Sequence, residues 1–121
     1  MTRWAKFQVR WIEQENSAVA VVHLSGGMTS SPEAYHFLEE FQNRVREGRV
    51  RWVLDLDQVE PITSAGVGIL AACCTSVLNA GGKITLSRVP ARARAILSVV
   101  GLLSVMGDAA SEEEAVRRVS D

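Results

Sequence analysis

The stretch Arg51–Leu70, RWVLDLDQVEPITSAGVGIL, constrains the fold of this chain more than any other. Trp52-Val53-Leu54-Asp55-Leu56 is a short, nearly continuous apolar run rich in strand formers, the pattern of a strand covered on both faces. Asp57-Gln58-Val59-Glu60-Pro61 reads as a turn. Gly66-Val67-Gly68-Ile69-Leu70 then opens an apolar helical pattern, with Thr63 or Ser64 as its N-cap. Ala65, Gly66 and Gly68 are small, which predicts a first turn that another molecule can approach closely. Its free N–H groups and the helix dipole favour negative charge there. The same residues also fit a plain βα loop, well capped, whose glycines serve only tight packing.

On either side of this stretch the chain alternates strands and helices. Trp4–Ile12 sets Phe7, Val9 and Trp11 against Lys6, Gln8 and Arg10, which predicts a strand with one exposed face. After the polar turn Glu13–Ser17, Ala18–Leu24 is a more continuously apolar strand, and the two pair as a hairpin. Ser25–Ser30 breaks that strand. Ser31-Pro32-Glu33 starts a helix with a cap, proline at the first position and an acid in the first turn. Ala34, Phe37, Leu38, Phe41 and Val45 form its apolar face, and Gly48 ends it. Arg44, Arg46, Arg49 and Arg51 crowd that end and read as a solvated C-terminal turn complementing the dipole.

The helix after Thr63 carries a stripe of Leu70, Cys73, Cys74, Val77 and Leu78, stopped by Gly81-Gly82. Lys83–Ser87 is an alternating strand. Pro90 opens a third helix with apolar Ala93, Ile96, Leu97 and Val100, closed by Gly101; Leu102–Met106 reads as a short fifth strand. Ser111-Glu112-Glu113-Glu114 has capping-box spacing and starts a last helix with Ala115, Val116 and Val119. The order is ββαβαβαβα in a single domain over residues 1–121. The fold class is α/β: a mixed, mainly parallel five-stranded sheet with about four helices, the hairpin antiparallel and the rest joined by right-handed crossovers.

Function classes narrow by exclusion. A net charge of −1 lacks the basic excess of a nucleic-acid binder. No apolar run reaches the roughly 20 residues of a membrane span, and Met1–Val9 does not resemble a signal peptide, so a cytoplasmic location is expected. Adjacent Cys73 and Cys74 rarely bridge, and neither His23 nor His36 has a partner at metal or catalytic spacing. The cysteines read as small apolar residues of a reducing compartment. Asp55 and Asp57 lack a companion histidine, lysine or metal cluster, and Gly66-Val67-Gly68 lacks the spacing and lysine of a phosphate loop. No catalytic residue, metal ligand or cofactor site is assigned, and the expected output is binding rather than catalysis.

VLDLDQVEPITSAGVGIL resembles the signature of the STAS domain, the fold of bacterial anti-sigma factor antagonists and of sulfate-transporter C-terminal regions. Other pieces fall in the same order. Leu24–Thr29 resembles the family's Leu-x-Gly-x-hydrophobic-Asp, and Asn79–Leu86 its Gly-Gly-x-Leu-x-Leu strand start. Val100-Gly101-Leu102 is similar to its Gly-Leu, and Ser111–Ala115 to its closing Ser-x-Glu-Glu-Ala. The resemblance implies a protein that binds an anti-sigma factor/serine kinase of GHKL type. In phosphorylated members the second serine of Asp-Ser-Ser-Gly accepts phosphate. Aligned on Gly66, Thr63 replaces that Asp, Ser64 keeps the first serine, Ala65 replaces the acceptor, and Thr29 stands at the family's other Asp. The candidate acceptors are therefore Ser64 and then Thr63. The partner-binding surface expected from the resemblance is Thr29, Ser30, Asp57, Pro61, Ile62, Thr63, Ser64, Ala65, Gly66 and Val67. Two readings stay open: an anti-sigma factor antagonist-like adaptor, or a non-phosphorylated STAS subunit of a signalling scaffold or an ABC-type lipid-transport complex. Homodimerisation is compatible with both.

Overall fold

The structure is a computed structural model that describes residues 5–14 and 16–120. Trp4, part of the expected first strand, lies outside the described residues. The elements run β1 (Gln8–Ile12), β2 (Ala20–Met28), α1 (Pro32–Arg46), β3 (Arg51–Ile62), α2 (Ser64–Asn79), β4 (Lys83–Ser87), α3 (Ala91–Val99), α4 (Leu102–Met106), β5 (Asp108–Ala109) and α5 (Glu112–Ser120). The strands form one sheet in the spatial order β1-β2-β3-β4-β5. β1 pairs antiparallel with β2, Gln8 opposite Ser25, and the remaining pairs are parallel.

Because the strands step across the sheet in one direction, right-handed crossovers put every connecting helix on the same face. That face carries the large core. Trp52, Leu54 and Leu56 of β3 meet Phe37 and Phe41 of α1, Ile69, Leu70, Cys73 and Val77 of α2, and Leu97 and Met106 beyond. Aromatic rings run through it, with Phe41 and Trp52 at 4.7 Å and Trp11 and Phe37 at 5.6 Å between centroids. The opposite face is covered by α5, over a small cluster of Val19, Val21, Val53, Ala109, Ala115 and Val119.

Local chemistry accounts for the helix ends. The Ser31 hydroxyl accepts the Ala34 N–H at 3.2 Å, with Pro32 first in α1. At α5 the Ser111 hydroxyl accepts the Glu114 N–H at 3.1 Å, while the Glu114 carboxylate accepts the Ala110 N–H at 3.0 Å. That hydrogen bond, followed by Arg118, lowers the Glu114 pKa.

Several expectations are corrected. Leu102–Met106 is a one-turn helix, and the fifth strand is Asp108–Ala109. Leu102, Leu103 and Met106 pack at i, i+1 and i+4 while Ser104 and Val105 are exposed, a helical rather than alternating pattern. Gly101, at φ +81°, turns the chain between α3 and α4. Leu78, Ile96 and Val100 are exposed rather than core residues. The arginines after α1 are only partly a solvated turn. Arg44 stacks 3.7 Å over the Trp11 ring and pairs with Glu13 at 3.0 Å. Arg49 donates to the Ser17 and Gln14 carbonyls, and Arg51 to the Val119 carbonyl at 2.6 Å.

β2 and β3 both outrun their predicted ends. Ser25–Met28 continues β2, and the expected turn Asp57–Pro61 belongs to β3, which runs to Ile62. Pairing persists through register shifts: His23 opposes Asp55, Ser25 opposes Gln58, and Met28 opposes Ile62. Polar and glycine residues that look like turn signals are here residues of two bulged strands.

Candidate partner-binding site

The extended ends of β2 and β3 fix the start of α2. Thr63 is its N-cap, in an extended conformation, and its hydroxyl accepts the Gly66 N–H at 3.4 Å. The same hydroxyl donates to the Met28 carbonyl at 3.3 Å, and the Thr63 N–H donates to that carbonyl at 3.1 Å. The helix start is thus hydrogen-bonded to the last residue of β2. Thr63 is the cap, and Ser64 is the first helical residue, exposed to solvent.

The glycines of this turn serve different ends. A Cβ on Gly66 would lie 2.4 Å from the Met28 carbonyl oxygen, so Gly66 lets the helix sit against β2. Gly68 is exposed, and a Cβ there would meet nothing within 4 Å. The approachable part of the turn is therefore Ser64 and Gly68, with Gly66 a packing residue. Among the expected surface residues, Ser30, Asp57 and Ser64 are exposed, while Thr29, Pro61, Thr63, Ala65 and Val67 are half-buried. Ile62 and Gly66 are buried, so they position this surface and do not present side chains on it. Asp57 sits 3.7 Å from the Arg88 guanidinium and accepts from the Gln58 side chain at 2.7 Å. No acidic residue lies in the first turn of α2, which leaves its positive end uncompensated from within.

Beside this surface Val59, Pro61 and Ile62 of β3 face Ala93 and Ile96 of α3 across a mainly apolar cleft of about 250 Å³. The α3 wall was missed in the sequence. Apolar residues at helical spacing describe a core face and a cleft wall equally well. Cys73 and Cys74 lie deeper in α2, both buried. Burial pushes both thiols up from their usual range, with the neighbouring Cys74 adding to the effect at Cys73, so neither is a ready nucleophile. Among the described residues, the metal-capable cluster His23, Asp55 and Glu112 lies away from α2, on the face that α5 covers.

The family model described as Mlab, STAS domain matches residues 11–107. The chain belongs to the STAS domain family. Solved structures similar to this STAS domain include an anti-sigma factor antagonist from Mycobacterium paratuberculosis, 22% identical, with 94% of this chain and 96% of that chain covered at a TM-score of 0.78. The NMR structure of the Thermotoga maritima protein TM1081 is 18% identical, with 98% and 94% covered at a TM-score of 0.81. The Bacillus cell fate determinant SpoIIAA in its phosphorylated form is 22% identical, with 94% and 99% covered at a TM-score of 0.64. At these identities the likeness is one of fold. No curated protein shows significant sequence similarity to this chain. Among the described residues no helix is long and apolar enough to cross a membrane.

Proposed function

We propose that this STAS domain is a non-enzymatic, cytoplasmic signalling adaptor of the anti-sigma factor antagonist type. It binds an anti-sigma factor/serine kinase of GHKL type through the start of α2 and the adjoining ends of β2 and β3. The observation that carries this reading is a helix start held to Met28 by its own cap, with Ser64 exposed on it. A rigid, small-residue surface of this kind loses little conformational entropy when a partner docks. Solved neighbours named as anti-sigma factor antagonists support the general class.

Ser64 is the regulatory hydroxyl in this reading. A phosphate there meets first-turn N–H groups whose dipole favours negative charge, so the fold tolerates it. A docking partner has to desolvate the same dianion, so binding does not. Thr63 is the poorer acceptor because its hydroxyl is engaged as the cap and as a donor to Met28.

A second reading, a non-phosphorylated STAS subunit of a signalling scaffold or an ABC-type lipid-transport complex, is favoured by Thr63 and Ala65 standing in place of the family's Asp and acceptor. It keeps the same binding surface without the switch. Intact-mass analysis after incubation with a GHKL-type kinase of the same genome and ATP separates them. One added phosphate, absent from Ser64→Ala, together with lost binding in a folded Ser64→Asp, is the adaptor's result. No phosphate, with Ser64→Asp still bound to its partner, overturns the switch and leaves the subunit reading.

A further inference from the structure

The geometry points to a divalent transition-metal site on the α5 face of the sheet, formed by His23 of β2, Asp55 of β3 and Glu112 of α5. One ligand atom from each lies within 4.8 Å of the other two. His23 and Asp55 are direct partners in the β2–β3 register, and Glu112 reaches them from the first position of α5. The three donors thus come from three elements whose relative placement the fold fixes. A single nitrogen and two carboxylates suit borderline cations such as Zn²⁺ better than Mg²⁺, which prefers an all-oxygen, largely hydrated octahedron.

Charge favours an occupant. Asp55, Asp57 and Glu112 bring three negative charges to this corner; Arg88, paired with Asp55 at 2.8 Å and Asp57 at 3.7 Å, and Arg10, opposite His23 in the β1–β2 register, bring two positive ones. The corner remains net negative, which favours a cation there. Asp55 is the most firmly placed of the three, its side chain only 3% exposed and already paired with Arg88. One of its oxygens accepts from Ser87 at 2.9 Å and from Arg88; among the described residues the other accepts one hydrogen bond, from the Asp57 N–H at 3.1 Å, which leaves it a lone pair.

His23 Nε2 and Glu112 Oε1 are 2.5 Å apart. Two ligands of one tetrahedral zinc stand roughly 3.3 Å apart at the usual bond lengths. Binding therefore moves the Glu112 side chain outward by a little under ~1 Å, within reach of a rotamer change in a side chain that is 40% exposed. A fourth position stays open to water, since His23 is also 30% exposed. The cation takes the place of the His23–Glu112 hydrogen bond and staples α5 to β2 and β3.

The probe is ZnCl₂ added to EDTA-stripped, desalted full-length protein, with MgCl₂ as the control. Calorimetry is expected to give one equivalent of Zn²⁺, thermal unfolding a rise in Tm of about 5 °C or more at saturating metal, and Mg²⁺ neither. His23→Gln and Glu112→Gln, both at half-exposed positions and each checked for fold by circular dichroism, are expected to weaken Zn²⁺ by about tenfold or more. His36→Gln removes the exposed His36–Glu40 pair, a competing surface site at 3.5 Å, and is expected to change nothing. In the wild type, the His23 imidazole ¹⁵N signals must shift on Zn²⁺ addition. Absence of a Tm or calorimetric response, or unmoved His23 signals, overturns the site. So does unchanged affinity in folded His23→Gln, or loss of binding in His36→Gln alone.

Discussion

The two faces of the sheet are built on different principles. Under α1 to α4 the contacts are apolar and large, with Trp52, Phe37, Phe41, Leu54 and Leu56 fully buried. Under α5 the apolar cluster is small, and β2, β3 and β4 set His23, Asp55 and Ser87 side by side in register on that face. The difference follows from topology. Right-handed crossovers that all step the same way load one face, and a single helix is left for the other. The loaded face carries the stability, and the lightly covered face has room for charged side chains that a full core would exclude.

The strongest way to break this contrast is to truncate the loaded face. Trp52→Ala removes a side chain that packs on Phe41 and Trp11 and donates to the Arg49 carbonyl at 2.7 Å. It is expected to cost about 4 kcal/mol in denaturant unfolding. A cost near that of Val21→Ala on the other face would show the two faces to be equivalent.

Arg88→Ala tests the polar face and is expected to cost about 2 kcal/mol, less than a fully buried pair because Arg88 is 42% exposed. The cost arises from leaving buried Asp55 without its cation, whose hydrogen bond and charge also raise the Arg88 pKa. Asp55→Asn introduced together with Arg88→Ala should therefore cost less than the sum of the single changes, measured as a double-mutant cycle.

Most of the architecture was legible because it rests on local signals. The caps at Ser31 and Ser111, the proline of α1 and the period-two and helical patterns each depend on residues a few positions apart. What escaped depends on partners remote in sequence. The segments Ser25–Met28 and Asp57–Pro61 look like a strand break and a turn until they pair with each other. Gly66 looks approachable until the Met28 carbonyl is placed against it. Arg44 looks solvated until β1 brings Trp11 beneath it. The cap at Thr63 was readable from its own residues, and with it the helix start as a candidate site. The grouping of His23, Asp55 and Glu112 was not, since no spacing along the chain announces it.

Smaller effects sharpen the account of α2. Gly66→Ala is expected to destabilise by about 2 kcal/mol through the clash with Met28, while Gly68→Ala, in open space, is expected to stabilise by about 0.5–1 kcal/mol. Equal signs for the two in thermal or denaturant melts would refute the different roles given to these glycines. Thr63→Ala should cost about 1 kcal/mol as loss of a cap, and Ser64→Ala less than about 0.5 kcal/mol. A larger loss at Ser64 would mean that it shares the capping role.

The central claim is that partners dock on the start of α2, and one binding measurement addresses it directly. Gly68→Arg places a long cation on the open side of that first turn without the Gly66 clash. Lys83→Glu changes charge at the exposed start of β4, on the opposite edge of the sheet from the ends of β2 and β3. Affinity for a GHKL-type anti-sigma factor of the same genome, measured by calorimetry on variants with wild-type circular dichroism, should fall at least about tenfold for Gly68→Arg, equivalent to about 1.4 kcal/mol, and stay unchanged for Lys83→Glu. Retained affinity in Gly68→Arg, or loss in Lys83→Glu, would contradict the account and place the interface elsewhere on the domain.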